Sequence, residues 1–279
     1  MAGGTTDHVA KGGMKMFTLR QILKLHFVLL AFQLLSGQMS YGQSTDLETS
    51  EAGKLLKEMA AVFREKIDEQ FSVIVQFEFI DTNESWYVIV EKDRKVTVHK
   101  GPHEKARYFF TTTIDTLRLI RVEKLDAMTA ASKATGADHA PLDLKLADGL
   151  DFTPDVRKQL YTFFQHFFNP TVPEKKLLGE EYSRLVHGGH VIALYYYPGF
   201  RSAWYLLKNG DQLNEPGDTN PFPQAFIIIE GKGYAKIGDK TIHINARESY
   251  YIPPNSDHIV WTEKDESLVL IWLAWGEGA

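Results

Sequence analysis

The C-terminal part of the chain consists of short apolar runs separated by turn-forming residues, and this pattern constrains the fold more than any other feature. The runs are rich in β-branched and aromatic residues and read HVIALYYY, SAWYLLK, AFIIIEGKGYAKIG, KTIHI, SYYIPP and LVLIWLAW. Gly, Pro, Asn or Asp separates them, and Gly238-Asp239 suits a tight hairpin. Short strands divided in this way predict an all-β sandwich or barrel over residues 183–279.

Residues 51–150 follow a different pattern, with a helix first and strands after it. Apolar residues recur at spacings of three and four in the first segment, which predicts an amphipathic helix: Leu55, Leu56, Met59, Val62, Phe63 and Ile67. The alternating run SVIVQFEFID predicts a strand, and WYVIVEK, VTVHKG and ARYFFTTT predict three more. A helical period returns in IDTLRLIRVEKLDAMTAA. We therefore expect an α+β domain made of helices and an antiparallel sheet.

Residues 151–182 connect these two predicted domains. Thr153 can cap a helix that has Pro154 at its first position, where the missing N–H of proline costs nothing. The helix carries an apolar stripe of large side chains: Leu160, Phe163, Phe164, Phe167 and Phe168. We expect this stripe to pack on a neighbouring domain, and the proline- and lysine-containing segment NPTVPEKK to form the linker that follows.

The N-terminus carries the pattern of an export signal. Lys15, Arg20 and Lys24 precede the apolar run Leu25–Leu35, and the polar segment SGQMSYGQS follows. The run is shorter than the ~20 residues that a membrane-spanning helix needs. We therefore predict a signal peptide with an upstream extension over residues 1–43, cleavage after Gly42, no stable membrane span after cleavage, and a secreted or periplasmic protein. A membrane anchor and a buried helix are the alternatives, and the true start is left open among Met1, Met14 and Met16.

The composition restricts the kinds of partner and site. The formal net charge is −5, with 31 Lys and Arg against 36 Asp and Glu, and no basic block is present. This balance argues against nucleic acid as the main partner. The chain has no cysteine, which excludes disulfides, thiolate metal sites and cysteine nucleophiles.

The segment TTTIDTLRLIRVEKLDAMTAA, preceded by a helix and a strand meander, resembles the sterol carrier protein type 2-like domain. In that family a threonine-rich strand enters a helix, and a Gly-Lys-Leu-Asp-like segment follows, which here reads Glu123-Lys124-Leu125-Asp126. The resemblance implies an apolar tunnel that accepts lipids or fatty acyl chains, with the phenylalanine helix as a lid. The alternative is that the apolar residues of this region simply fill a core: Phe77, Phe79, Phe109, Phe110 and Met128.

Two motifs of the C-terminal region resemble those of the cupin family. Cupins have a glutamate seven residues before the glycine at a strand end, and here these positions are Gln224 and Gly231. Their second motif has a proline, a glycine and a histidine, which correspond to Pro253, Asn255 and His258. Asn255 can replace the glycine because asparagine tolerates the left-handed backbone conformation. The usual Gly-Asp before that strand reads Arg247-Glu248. The resemblance implies a jelly-roll barrel.

The cupin resemblance also implies a set of metal-ligand positions, which this chain has changed. Two histidines precede the cupin glutamate by six and four residues, and here those positions are Asp218 and Asn220. The site would consist of Asp218, Asn220, Gln224 and His258. One imidazole with three oxygen donors suits zinc, iron or copper poorly, and a hard cation needs more carboxylates. A metal-free polar pocket, a vestigial site and a divalent metal site, with His258 and Gln224 as its best candidate ligands, remain the alternatives.

Other catalytic motifs are not found in the sequence. His187 and His190 of HGGH lack the spacing of a helical zinc motif, and we expect His187 to lie in a turn. No P-loop, G-x-S-x-G elbow or dinucleotide fingerprint occurs. The sequence thus favours an exported, non-catalytic protein that binds a small apolar or amphiphilic ligand, without an identified cofactor. The alternative is a metal-dependent cupin enzyme of the oxygenase or isomerase type, and a homodimer is left open.

Overall fold

The computed structural model describes residues 50–135 and 137–279, whose strands form two β-sheets. The predicted signal peptide, residues 1–43, lies outside the described residues. None of the helices in the described ranges is both long and apolar enough to cross a bilayer.

The first half of the described chain alternates helices with short strands. The elements in chain order are α1 (Glu51–Phe63), β1 (Val73–Phe79), β2 (Glu84–Glu91), β3 (Lys95–Lys100), β4 (Tyr108–Thr112), α2 (Ile114–Arg121), α3 (Ala127–Ala130), β5 (Asp143–Leu146) and α4 (Pro154–Phe167). Hydroxyl and carboxylate side chains begin the later helices, because they accept hydrogen bonds from N–H groups that have no partner in the first turn. Thr113 caps α2, Asp126 caps α3 and Thr153 caps α4.

The first sheet has the strand order β3–β2–β1–β4–β5. The pairs β1–β2, β2–β3 and β4–β5 are antiparallel, but β1 and β4 run parallel, with Phe77 opposite Phe110. The prediction of an antiparallel sheet is therefore wrong for this pair. After β3, which lies at one edge of the sheet, the chain crosses to the other side of β1, where β4 pairs with it. Sequence periodicity does not indicate where a chain crosses its sheet.

The apolar stripe of α4 is buried against this first sheet and helix α1. Phe167 stacks on Phe163 with ring centroids 4.5 Å apart and contacts Phe63 of α1 at 5.5 Å. Phe77 of β1 lies 5.8 Å from Phe167 and stacks on Phe110 at 5.5 Å. All five rings are fully buried. Contacts of this kind fill the space between sheet and helices, so Phe77 and Phe110 act as core residues.

The second half of the described chain is built almost entirely of strands. They are β6 (Arg184–Val186), β7 (Gly189–Tyr197), β8 (Phe200–Lys208), β9 (Gln212–Leu213), β10 (Gln224–Ile237), β11 (Lys240–Asn245), β12 (Ser249–Ile252), β13 (His258–Trp261) and β14 (Ser267–Trp275). The order is β6–β7–β8–β14–β10–β13–β9, with β11 and β12 also paired to β10 and all pairs antiparallel. This confirms the predicted all-β region. The predicted hairpin Gly238-Asp239 joins β10 to β11.

Strand β10 is long enough to pair with different strands along its two halves, and the sheet curls into a barrel. Its first half pairs with β12 and β14, and its second half with β11 and β13. A bulge at Ile228 and Glu230 separates the halves. Gly231 follows the bulge with φ 77°, and a Cβ at this position would lie 1.9 Å from the Ser267 carbonyl oxygen. Only glycine fits such a close approach.

A polar seam joins the two halves of the described chain. Arg184 Nη1 of β6 donates to the carbonyls of Thr129, Ala130 and Ser132, at 3.0, 3.0 and 2.7 Å. The Ala193 N–H of β7 donates to Thr129 Oγ1 at 3.0 Å, and Thr129 is 0 % exposed. The Thr129 and Ala130 carbonyls also accept backbone N–H groups, so Arg184 supplies a second donor to each, and these bonds join the barrel to the first half.

We predict that Phe167→Asp destabilises the folded chain by roughly 3–5 kcal/mol, because it removes a buried ring and places a carboxylate among apolar side chains. Leu119→Asp on α2 is the matched control. Leu119 is 44 % exposed, and its substitution should change stability by only about 0.5 kcal/mol. Chemical denaturation followed by circular dichroism measures both. Equal stability of the two variants would show that the stripe is not buried.

Candidate functional site

Three of the four predicted site residues lie together inside the barrel. Gln224 is the first residue of β10, His258 is the first residue of β13, and Asn220 lies in the loop that precedes β10. Asn220 Nδ2 lies 3.1 Å from Gln224 Oε1 and 3.4 Å from His258 Nε2. Gln224 is 0 % exposed and His258 is 4 % exposed. The cupin motif positions therefore form a compact, buried polar cluster.

Trp272 of β14 determines how the amides in this cluster are oriented. Its indole Nε1–H donates to Gln224 Oε1 at 2.8 Å. An indole N–H can only donate, so the Gln224 atom that faces it must be the oxygen. Asn220 also faces that oxygen and must therefore present its NH₂ group. Gln224 Nε2 is buried and has no hydrogen-bond partner in the part of the chain that the structure describes.

His258 is neutral in this environment. Its Nδ1 lies 3.3 Å from the Ser256 carbonyl, which can only accept, so the proton is on Nδ1 and Nε2 accepts from Asn220. Burial lowers the pKa of His258 below its ordinary value of 6.5. The Ser256 carbonyl and the negative charges of Asp218 and Asp257 act in the opposite direction but do not offset the burial.

Loop contacts hold the cluster in place. Asn255 adopts φ 60°, the left-handed conformation that we expected at this motif position, and its N–H donates to the Asn220 carbonyl at 2.7 Å. Asn214 Nδ2 donates to the His258 carbonyl at 2.9 Å. His187 has φ 56° and lies in the turn between β6 and β7, as predicted. Arg247 also has a positive φ, 72°, where cupins have glycine, a conformation that costs an L-residue about 1–2 kcal/mol.

Asp218, the fourth predicted residue, lies outside the cluster. Its side chain is exposed, and Oδ2 accepts from the Glu215 N–H at 2.9 Å. It lines a cleft of about 490 Å³ that adjoins the site and is bordered by Ala134, Thr135, His187, Gly188, Gln212, Asn214, Glu215 and Asp218. Its carboxylate acts on His258 through its charge, and its backbone also hydrogen-bonds the imidazole. The structure thus assigns Asp218 to the neighbourhood of the site.

Two aromatic side chains of the barrel keep some accessible surface. Tyr205 of β8 and Trp272 pack against the buried core of the barrel, and both are half-buried. Burial raises the pKa of Tyr205. The fully buried ring of Phe226 lies 6.5 Å from that of His258.

The donor set does not fit a transition metal. No group of three or more His, Cys, Asp or Glu residues in the described ranges could hold a metal ion. Gln224 Oε1 already accepts two hydrogen bonds, and His258 Nε2 faces an amide NH₂. A zinc, iron or copper ion would have one imidazole and neutral amides, whereas such ions favour imidazole, thiolate or carboxylate ligands. We therefore derive no metal chemistry at this site.

Sequence reasoning did not identify Trp272 or Tyr205. The alternation in LVLIWLAW places Trp272 on the same face as the buried Leu268 and Leu270, which could have marked it as an inward residue. Its bond to Gln224 joins residues 48 positions apart, and this pairing depends on the strand order.

Comparison with known proteins assigns the class of the C-terminal region. The family model described as "Cupin domain" matches residues 205–274. That part of the chain is therefore a cupin domain, and its motif residues are those of the buried cluster. The match spans 70 residues of the 279.

Several solved structures are similar to the chain. A Cupin 2 conserved barrel domain protein from Salinispora arenicola is 21% identical to this chain. The match covers 37% of this chain and 88% of that protein, with a TM-score of 0.33. The plu4264 protein from Photorhabdus luminescens is 17% identical, with coverages of 37% and 87% and the same TM-score, 0.33. A predicted oxalate decarboxylase from Thermotoga maritima is 13% identical, with coverages of 31% and 79% and a TM-score of 0.29. The search of curated proteins gave no match.

We predict that His258 makes the fold acid-sensitive. Its pKa is lowered on folding, so its contribution to stability is present above the unfolded pKa of about 6.5 and is lost as the pH falls through the lower folded pKa. His258→Asn should therefore flatten the decrease in melting temperature below pH 6.5. His139→Asn, at a side chain that is 97 % exposed, is the control and should follow the parent. A parental pH profile in His258→Asn would contradict the assignment of a buried neutral imidazole.

Proposed function

We propose that this chain is a non-catalytic binding protein that holds a small molecule in the cupin barrel without a metal. The observation that carries the proposal is the Gln224 amide, whose Nε2 is buried without a partner among residues 50–135 and 137–279. A buried donor left unpaired costs about 1–3 kcal/mol, and an acceptor on a ligand recovers that free energy.

The absence of an acid–base pair at the cluster supports binding over catalysis. His258 is the only titratable side chain among Asn220, Gln224, His258 and Trp272, and its pKa is lowered by burial. A general base needs a second group that orients it or accepts its proton. Here both ring nitrogens are already bonded to neutral partners, Ser256 and Asn220.

We place the ligand in the barrel and not between the first sheet and its helices. The comparisons give no support to a sterol carrier-like domain in residues 51–150, and the phenylalanines of that region pack on one another. A cavity beside α2 and α4, bordered by Leu125, Phe164, Phe168 and Leu177 among others, measures about 40 Å³, and one between α1 and β3 measures about 160 Å³. Both are smaller than the roughly 300–1,000 Å³ that is usual for a ligand pocket.

We predict that the purified protein holds well under one equivalent of transition metal and that EDTA leaves its melting temperature unchanged, because a bound metal would stabilise the fold by mass action. Metal analysis and a thermal melt with and without EDTA measure this. The triple variant Asp218→His, Asn220→His, Gln224→Glu restores the cupin ligands and should gain stability from zinc or manganese. Stoichiometric metal in the parent that is lost in His258→Ala would favour the metal-dependent enzyme instead.

We also propose that the protein is exported, on the basis of the charged, apolar and polar order of Lys15 to Ser44. Expression with a C-terminal tag, fractionation and N-terminal sequencing should give a mature chain that begins at Gln43 and lies outside the cytoplasm. Replacing Leu29 and Leu30 by Asp should abolish cleavage, since the apolar run is the part of a signal that is recognised. Cytoplasmic protein that retains MKMFTLRQ would rule this proposal out.

A further inference from the structure

We propose that two copies of this chain associate through the outer side of the barrel sheet, as a dimer with two-fold symmetry. The surface belongs to four adjacent strands, in the order β8, β14, β10 and β12. Eight apolar residues define it, and we call them the outer face: Phe200, Ala225, Ile227, Ile229, Tyr251, Ile271, Leu273 and Trp275. This surface is distinct from the buried polar cluster, and the inference does not depend on the proposed ligand.

The strand register places the outer face on one side of the sheet. Phe200 is opposite Trp275, and Ala225 is paired with Leu273 of β14 and with Tyr251 of β12. Successive side chains of a strand point to opposite sides of its sheet. The residues that alternate with the outer face in β10 and β14 are therefore directed inward, and they include buried core residues: Phe226, Ile228, Leu268, Leu270 and Ala274.

The outer face is accessible and uncharged. Exposed fractions that rise from 37 to 58 % belong to Phe200, Trp275, Ile229 and Tyr251, and the other four members are half-buried. The outward positions between them hold uncharged side chains: Ser202, Trp204 and Ser249. A charge appears only at the border, where Glu230 is opposite Val269. A contiguous apolar surface with a polar rim is typical of an interaction site.

The area of the outer face is close to what a specific dimer needs. An aromatic side chain has roughly 200 Å² of surface, so the exposed fractions of Phe200, Tyr251 and Trp275 offer on the order of 250 Å². The five aliphatic members add a comparable area. Two copies would therefore bury on the order of 1,000 Å² in total, before the rim residues are counted, which is near the lower limit for a specific interface.

A second copy is the partner that fits this composition. Interfaces between proteins that also exist apart are only about as apolar as protein surface in general, whereas homodimer interfaces are more apolar. Sheets pack face to face with their strands nearly aligned. A two-fold axis that lies between two such faces sets the same residues of both copies against one another. An uncharged apolar surface needs no complementary charge and can therefore pair with itself.

The residues that precede the described chain suit this surface poorly once the signal has been removed. Cleavage after Gly42, as proposed above, leaves QSTDLET ahead of Ser50. This segment contains a single large apolar side chain, Leu47. It could not cover eight apolar residues on four strands.

The outer face lies directly behind the polar cluster of the barrel. Gln224 is paired with Ile252, the neighbour of Tyr251, and with Ala274, the neighbour of Trp275. Association of two copies would therefore hold the ends of the strands that carry the buried amide.

Analytical ultracentrifugation of the whole purified protein tests the proposal. We expect a species of twice the chain mass, whose melting temperature falls on dilution because association stabilises the fold by mass action. The double variant Tyr251→Lys, Trp275→Lys places charges on both copies of the outer face and should raise the dimer Kd at least tenfold. Ile80→Lys with Val122→Lys, two exposed apolar residues of the first half, is the matched control and should remain dimeric.

A spin label locates the interface, because the chain has no cysteine of its own. Labels on Tyr251→Cys should report an intermolecular distance shorter than that between labels on Val122→Cys. Pulsed electron paramagnetic resonance measures both distances.

Two results would overturn the proposal. A parent that stays monomeric at every concentration shows that the outer face does not bind a second copy. A dimer that survives the Tyr251→Lys, Trp275→Lys change, with the longer distance at Tyr251, shows that the copies meet elsewhere. If the double variant loses its circular dichroism spectrum, Tyr251→Lys alone, at the most exposed member of the face, decides by the same criterion. None of these results bears on ligand binding in the barrel.

Discussion

The seam between α3 and the barrel is the interaction on which the rest of the structure depends. One guanidinium, that of Arg184, donates to three carbonyls at the end of a helix of only four residues, and Thr129 accepts from strand β7 on the same side. Burial lowers the pKa of Arg184, so the charge is partly desolvated and depends on these carbonyls. The Arg184 guanidinium is bonded to carbonyls and not to carboxylates. Its hydrogen bonds therefore hold the barrel against α3 without an ion pair that salt would weaken.

The polar cluster of the barrel depends on one hydrogen-bond donor, the indole N–H of Trp272. The indole of Trp272 can only donate, and this one property determines the orientation of Gln224, then of Asn220, and then the tautomer of His258. The metal-binding cupin arrangement would place charge at the same positions. Here amides occupy those positions, so the site remains polar but lacks the ligands that a transition metal prefers. The proposed ligand would complete this network through Gln224 Nε2, which has no partner among the described residues.

Local sequence patterns predicted most of the elements, although α1 ends at Phe63, before the predicted Ile67, and the helical run after Thr113 is divided into α2 and α3. The first helix, the strands of both regions, the cap at Thr153, the hairpin at Gly238 and the left-handed Asn255 are all present. Each of these depends on a few neighbouring residues with strong backbone preferences. The parallel pairing of β1 with β4 was not predicted, because pairing direction is set by where the chain crosses the sheet. The alternation within β4 is the same in either direction.

The sequence by itself determined the class of the C-terminal domain and three residues of its polar cluster, because the spacing of Asn220, Gln224 and His258 follows a motif tied to one strand order. It also determined that the cluster has one imidazole. Only the tertiary structure decided that Asp218 lies outside the cluster, that Trp272 donates to Gln224 and that Nε2 has no partner. These features arise from side chains tens of residues apart along the chain, and their distances and directions exist only after the sheet has curled and the loops have closed over it.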